Sequence, residues 1–188
     1  IETARDLLLH LRNARQRPHR DEKILLSWNA LMIRALCRGY LYLEEPGYKD
    51  AALQAADFVQ NQMRSPAGEL LHSYYDGKAG KAGVLEDYVF WADALLSLYE
   101  LDFDVGRLSE VERLCQTMLK RFWDSEKGGF FSDDGTSPYL PTRVKPVYDL
   151  AEPSANATAA RVFHRMYLYT GNKEFRSIAE KTLRLLYP

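Results

Sequence analysis

Cysteine is scarce in this 188-residue chain: only Cys37 and Cys115 occur, both inside apolar helical patterns. Without a Cys-x-x-Cys pair they exclude a disulfide framework and a thiolate metal knuckle, and they favour a reducing, cytoplasmic setting. Charge of one sign is lacking as well. The 25 Lys and Arg stand against 26 Asp and Glu, a net charge of −1, so no positive excess draws nucleic acid or an anionic membrane. No uninterrupted apolar run approaches a membrane span. No His-x-x-x-His pair or Cys/His cluster is present, and no metal or cofactor is expected. Gly-rich phosphate loops, dinucleotide fingerprints and nucleophile elbows are missing too. The first residues, Ile1 to Asp6, lack an initiator Met and a signal-peptide core, which reads as a piece of a longer chain.

What is present is a helical repeat. Apolar residues make up 46% of the chain and aromatic residues 12%, ample for a core. A short helix is predicted over 3–14 from Leu7, Leu8 and Leu11, followed by a basic linker, Arg15 to Arg20. Three helical hairpins follow over 21–64, 85–122 and 153–187. The first helix of the first hairpin, Asp21 to about Leu43, carries Ile24, Leu25, Trp28, Leu31, Met32, Ala35 and Leu36 at three- and four-residue steps, and Glu45-Pro46-Gly47 stops it. Tyr88, Val89, Ala92, Leu95 and Leu96 open the second copy; Ala159, Val162, Phe163 and Met166 open the third. The spacing of about 60 to 66 residues between copies marks stacked hairpins that bury their apolar faces on one another. The fold class is all-α, with 1–188 as a single domain.

The connections are unequal. Turns within hairpins are short, whereas the links between them run to about 20 and about 30 residues. Both long links lie at one end of the array. Each contains a strand-like piece, 69–75 and 129–132, so short β-hairpins are expected there. Long structured loops on one face of a rigid scaffold are where function sits.

The helix starts at that face are acidic or polar: Asp21-Glu22, Glu86-Asp87, and Glu152-Pro153-Ser154 followed by Asn156, with Asp149 nearby. Carboxylates at helix N-termini serve as caps and first-turn acids; converging across a cleft, they serve glycosidic-bond chemistry. His19 and His72 are proton shuttles or plain loop histidines. Arg143 and Lys145 either pair with neighbouring acids or receive an anionic ligand. Trp28, Tyr74, Tyr75, Tyr88, Trp91 and Tyr139 are candidates for a sugar platform, although Trp28 and Tyr88 at helical positions read as core.

Several of these motifs resemble one known family in the same order. The stretch Arg17-Pro18-His19-Arg20-Asp21-Glu22-Lys23-Ile24-Leu25-Leu26-Ser27-Trp28-Asn29, the Leu85-Glu86-Asp87-Tyr88 segment and Gly128-Gly129-Phe130-Phe131 carry the likeness. Arg143, Lys145, Asp149, Ala151, Pro153, Ser154 and Asn156 complete it. The family is that of thioredoxin-domain-containing proteins related to spermatogenesis-associated protein 20. Glu22, Ala30 and Ala155 depart from its pattern. The resemblance implies about half of an (α/α)6 toroid, like those of six-hairpin glycosidases and N-acylglucosamine 2-epimerases, without the thioredoxin-like domain.

Two functions follow as expectations. In the first, the domain binds or processes a carbohydrate by glycosidase- or epimerase-like acid–base chemistry. Glu86 or Asp87 acts as acid or base, Asp21 and Asp149 are its partners, and His19, Trp28, Asn29, Tyr88, Arg143, Lys145, Ser154 and Asn156 contact the ligand. In the second, the same face is a scaffold that docks a thioredoxin-like domain, and the motifs anchor loops. Three hairpins do not close a ring of this kind, so self-association through an open, apolar edge is also expected.

Overall fold

Left-handed turns end the first helix of every hairpin. Glu44, Phe103 and Gly171 take φ values of 55°, 54° and 72°, and their N–H groups donate back to the carbonyls of Tyr40, Tyr99 and Tyr167. Such αL caps satisfy the otherwise orphaned carbonyls of the last turn. Return helices start at once, behind Pro46 at a first helical position and behind the side-chain caps of Asp104 and Asn172. The computed structural model describes residues 2–136, 138 and 141–187. Among these the helices are α1 (Glu2–Asn13), α2 (Leu26–Leu43), α3 (Pro46–Gln62), α4 (Leu85–Asp102), α5 (Val105–Arg121), α6 (Ala155–Thr170) and α7 (Lys173–Leu186). Three short strands, β1 (Ile24–Leu25), β2 (Ser73–Tyr75) and β3 (Lys78–Ala79), form an antiparallel sheet in that order.

The helices make two layers. α2, α4 and α6 lie side by side with α4 in the middle, and α3, α5 and α7 each back their own partner. Accordingly α4 is mostly apolar and is buried on every side, from Leu85 through Leu98 except for half-buried Glu86, with Asp87, Asp93 and Ser97 its buried polar residues. The outer helices α5 and α7 bury one stripe only, Val111, Leu114, Cys115 and Met118 in one and Phe175, Ile178 and Ala179 in the other. One continuous core runs through all three hairpins. No described helix is long and apolar enough to cross a membrane.

Three local expectations are corrected. The first hairpin begins at Leu26, not Asp21: Ile24 and Leu25 pair with Tyr74 and Ser73 of β2, leaving 21–23 an exposed linker. Their spacing fits the helical stripe equally well, and only the distant strand decides. The first link does fold back on itself, through Asp76 and Gly77 at φ 48° and 74°, the left-handed pair that a two-residue hairpin needs. The second link, in contrast, forms no strand among the described residues, only a bridge between Trp123 and Phe130. Gly128 and Gly129, both at positive φ, bend it away from extended pairing. Finally, Trp28 is 58% exposed rather than core; it lies at the edge of the α2 stripe.

Candidate functional site

The two-layer arrangement sends the N-terminal ends of α2, α4 and α6 to the same end of the molecule. There they enclose a cleft of about 400 Å³, walled by Ser27, His72, Glu86, Tyr148, Glu152 and Ser154 among others. Asp87, in the first turn of α4, is fully buried beneath it. One of its oxygens accepts the Ser27 N–H at 3.2 Å, and the other accepts the Val84 N–H at 3.0 Å and His72 Nδ1 at 2.9 Å. The reach back to Val84 is half of a capping box; a valine has no side-chain oxygen to return. With Nδ1–H donated to the carboxylate, His72 keeps Nε2 free, and its side chain is 41% exposed. The hydrogen bond to Asp87 is the main influence raising the His72 pKa, with burial opposing it.

Glu86 is half-buried in the same wall, and burial is the chief cause of its raised pKa. The negative charges of Asp87 and Glu152 push it the same way, while His72 pulls it down. A carboxyl inclined to hold its proton therefore sits near an imidazole inclined to be charged. Glu152 also accepts the indole N–H of Trp28. Its wall continues into a shallow apolar depression formed by Trp28, Leu31, Met32 and Ala35. Cleft, carboxyl, imidazole and exposed indole thus form one continuous surface.

The remaining sequence-derived candidates lie elsewhere or are engaged in holding the fold. Asp21 is exposed, pairs with Lys23 at 3.1 Å, and borders a separate depression with His19 and Tyr75. Asp149 is exposed and accepts the Ser154 N–H at 2.7 Å. Ser154 caps α6, accepting the Ala157 N–H at 3.2 Å while its hydroxyl donates to the Pro146 carbonyl at 3.0 Å. Asn29 donates to the Leu25 carbonyl at 2.8 Å. Tyr88 is buried, and its hydroxyl accepts from Arg121 at 2.7 Å, bordering a different pocket. Arg143 bonds the carbonyls of Asp133 and Arg121, each at 3.0 Å, and stacks 4.1 Å over Phe131. Lys145 pairs with Asp124 at 2.7 Å and donates to the Gly128 carbonyl at 2.6 Å. The Asn156 amide accepts the Phe130 N–H at 2.7 Å and donates to the carbonyls of Phe130 and Pro146 at 2.9 Å and 3.1 Å. Tyr74 packs edge-on against Phe58, Trp91 is buried, and Tyr139 lies outside the described residues.

Sequence reasoning missed a charged cluster farther along the inner helices. Buried Asp93 of α4 receives Arg34 of α2 at 2.8 Å and Arg161 and Arg165 of α6 at 2.7 Å and 3.5 Å. Arg165 also reaches Glu100 at 2.8 Å, where Arg38 approaches to 3.6 Å. A signal existed: Arg34, Asp93 and Arg161 each stand two helical turns after Ser27, Glu86 and Ser154 of the cleft wall. Among the described residues no group of three or more His, Cys, Asp or Glu is placed to hold a metal ion.

Comparison with known proteins agrees with this architecture. No protein-family model matches the chain. Over 185 residues it is 34% identical to human spermatogenesis-associated protein 20, covering 93% of this chain and 24% of that protein. An uncharacterized protein of Caenorhabditis elegans is 30% identical over 195 residues, covering 98% and 26%. The chain therefore spans about a quarter of the length of these relatives. Among solved structures, cellobiose 2-epimerase from Bacillus thermoamylovorans superposes with a TM-score of 0.71 at 13% identity, over 91% of this chain and 46% of that one. D-mannose isomerase gives 0.69 at 15% identity, over 85% and 39%. The GH76 alpha-mannanase of Bacteroides thetaiotaomicron gives 0.69 at 16% identity, over 91% and 45%. At such identities the likeness is one of fold. The chain is thus a distant homologue of spermatogenesis-associated protein 20, built as roughly half of an (α/α)6 toroid.

Proposed function

We propose that the cleft at the N-terminal ends of α2, α4 and α6 binds a carbohydrate-type ligand and transfers protons on it. The observation that carries this reading is Glu86: a half-buried carboxyl with a raised pKa, beside an imidazole tethered by a buried aspartate. General acid–base catalysis needs such groups, tuned by burial and neighbours toward neutral pH. Glu86 holds the proton to be given and His72 Nε2 is the second exchange point. Asp87 fixes the His72 ring without touching the ligand, and Trp28 supplies an apolar face for a sugar ring. Neighbours of the same fold are named as epimerase, isomerase and mannanase, which makes sugars the first ligands to try.

The test is a pair of assays on the 188-residue chain. One follows deuterium incorporation from heavy water into mannose, glucose and cellobiose by NMR; the other follows release from aryl glycosides. Turnover in either assay, reduced by about 10²-fold or more in Glu86→Gln and His72→Asn, supports the reading. If millimolar sugars neither turn over nor perturb the Trp28 indole signal, the cleft is not a sugar site.

A second reading has its own observation. Asp87, Arg143, Lys145, Ser154 and Asn156 are all bonded to backbone groups, as loop anchors of a scaffold would be. On this reading the long-loop face docks a thioredoxin-like domain. Trp28→Ala would then weaken capture of such a domain while sugars have no effect.

A further inference from the structure

Below the cleft, the inner face carries more positive charge than it neutralises. Among the described residues, four guanidinium groups, Arg34, Arg38, Arg161 and Arg165, meet two carboxylates, Asp93 and Glu100. Arginine forks carry far more donors than two carboxylates can accept. Arg165 is well covered and spends its donors on Asp93, Glu100 and the Leu96 carbonyl. Arg34, Arg38 and Arg161 do not: their side chains are 34%, 42% and 42% exposed. Among the described residues Arg38 has a single ionic neighbour, Glu100 at 3.6 Å. Burial, and repulsion from Arg161, Arg38 and Arg165, both lower the pKa of Arg34 against the pull of Asp93. An added anion relieves that repulsion.

Position connects this cluster with the cleft. Arg34, Asp93 and Arg161 follow Ser27, Glu86 and Ser154 by seven residues on the same helices, about 10 Å along the axes. Side chains on a helix lean toward its N-terminus, here toward the cleft. Accordingly, a ligand seated against Glu86 and extending down the inner face meets guanidinium groups able to grip planar or tetrahedral oxyanions in bidentate fashion.

We propose that Arg34, Arg38 and Arg161 form an anion subsite of the cleft, so that its ligand is an acidic sugar, bearing a carboxylate or a phosphate, rather than a neutral one. The inference rests on the carbohydrate reading of the cleft. Asp93 then acts as the post that holds the arginines apart and aimed, and is not itself a ligand contact.

The experiment titrates the 188-residue chain with D-glucose, D-glucuronate, glucose 6-phosphate and inorganic phosphate, reading tryptophan fluorescence at low salt and in ~0.5 M salt. The acidic sugars should bind about tenfold or more tighter than glucose, with the preference lost in high salt and in Arg34→Gln and Arg38→Gln. Arg38→Gln removes a single 3.6 Å ion pair, and an unchanged melting curve establishes that it folds. Whichever acidic sugar binds tighter identifies the anion as carboxylate or phosphate. If glucose binds as well as the acids, and Glu86→Gln weakens both, the sugar cleft stands and the anion subsite is wrong. If inorganic phosphate binds as tightly as either acidic sugar, and Glu86→Gln and Trp28→Ala leave this unchanged, the arginine site stands and the sugar reading falls. No binding by any of the four overturns both.

Discussion

Two adjacent carboxylates at the start of α4 are pulled in opposite directions by their surroundings. Asp87 faces inward, where two backbone N–H groups and an imidazole claim its oxygens. Replacing it with alanine leaves the buried Ser27 N–H and the half-buried Val84 N–H without partners, a loss of about 2–4 kcal/mol that urea denaturation would measure. Glu86 faces the cleft, where burial disfavours its charge. Its pKa in the folded chain is raised, so the folded state binds this proton more tightly than the unfolded chain does. The stability linked to it is fully present below the ordinary glutamate value of 4.5 and is lost as pH rises through the folded value. Glu86→Gln should therefore be more stable than the parent at neutral pH, with the relative advantage shrinking in acid. Melting temperatures from pH 3 to pH 8 test the sign: a variant less stable at pH 7 would mean that the charged carboxylate is held favourably. His72 follows the same sign, its stabilising share present below 6.5 and lost as pH rises through its raised folded value.

The link between α5 and α6, which forms no strand among the described residues, is held by side chains together with isolated backbone hydrogen bonds. Asn156 occupies both backbone polar groups of buried Phe130, and Gly129 beside it sits at φ 76°, where a Cβ would run into Leu185 and the Asn156 amide. Asn156→Ala should cost about 2–3 kcal/mol, since the buried Phe130 N–H is left unpaired; a loss below about 0.5 kcal/mol in denaturant titration would mean that the link has other anchors. The same link carries two strongly acidified carboxyls. Lys145 and the N–H groups of Lys127 and Glu126 hold Asp124 at about 2, while Thr136 and Arg121 hold Asp134 at about 2. Both lie below the ordinary 3.8, so their contribution is present above that value and fades as pH falls toward about 2. Acid unfolding should thus steepen below pH 4, and Lys145→Met should remove the Asp124 share of it. The helices themselves were legible from three- and four-residue apolar spacing, and their turns from Pro46, Gly171 and their neighbours. β1 was not, because two residues such as Ile24 and Leu25 satisfy a helical stripe and a strand equally. The Asp93 cluster left only a trace, the repeated two-turn step from the cleft wall, because its partners come from α2 and α6, nearly 60 and 70 positions away. Glu86 could be picked out as an acid at a helix start; its difference from Asp87 could not, since which of two adjacent carboxylates turns inward depends on packing between hairpins.

At the scale of the whole molecule, apolar surface remains uncovered at both flanks of the helix array. α1 buries none of its residues, leaving Leu7, Leu8, Leu9 and Leu11 exposed. Leu41, Tyr42 and Leu43 at the end of α2, and Leu183 and Tyr187 near the other end of the chain, are exposed as well. Exposed apolar surface of this kind favours association. Sedimentation at micromolar concentration should show the 188-residue chain associating with itself, and Leu7→Glu with Leu11→Glu should reduce it; a monodisperse, stable monomer would contradict this.

The middle position of α4 sets the order in which the molecule comes apart. α2 and α6 are each attached to the array through α4, which is buried on every side. A flank can therefore peel away and uncover one side of α4 while the rest persists, but α4 is uncovered on both sides only when both flanks have gone. Its amide protons should be the last to exchange with heavy water and should report the free energy of complete opening. Those of α1 should exchange first. Glu86 and Asp87 ride on the first turn of this slowest element, so the two carboxyls stay on an ordered helix when either flank is lost. The cleft, walled by Ser27 on one side and Ser154 on the other, exists only while both flanks are in place.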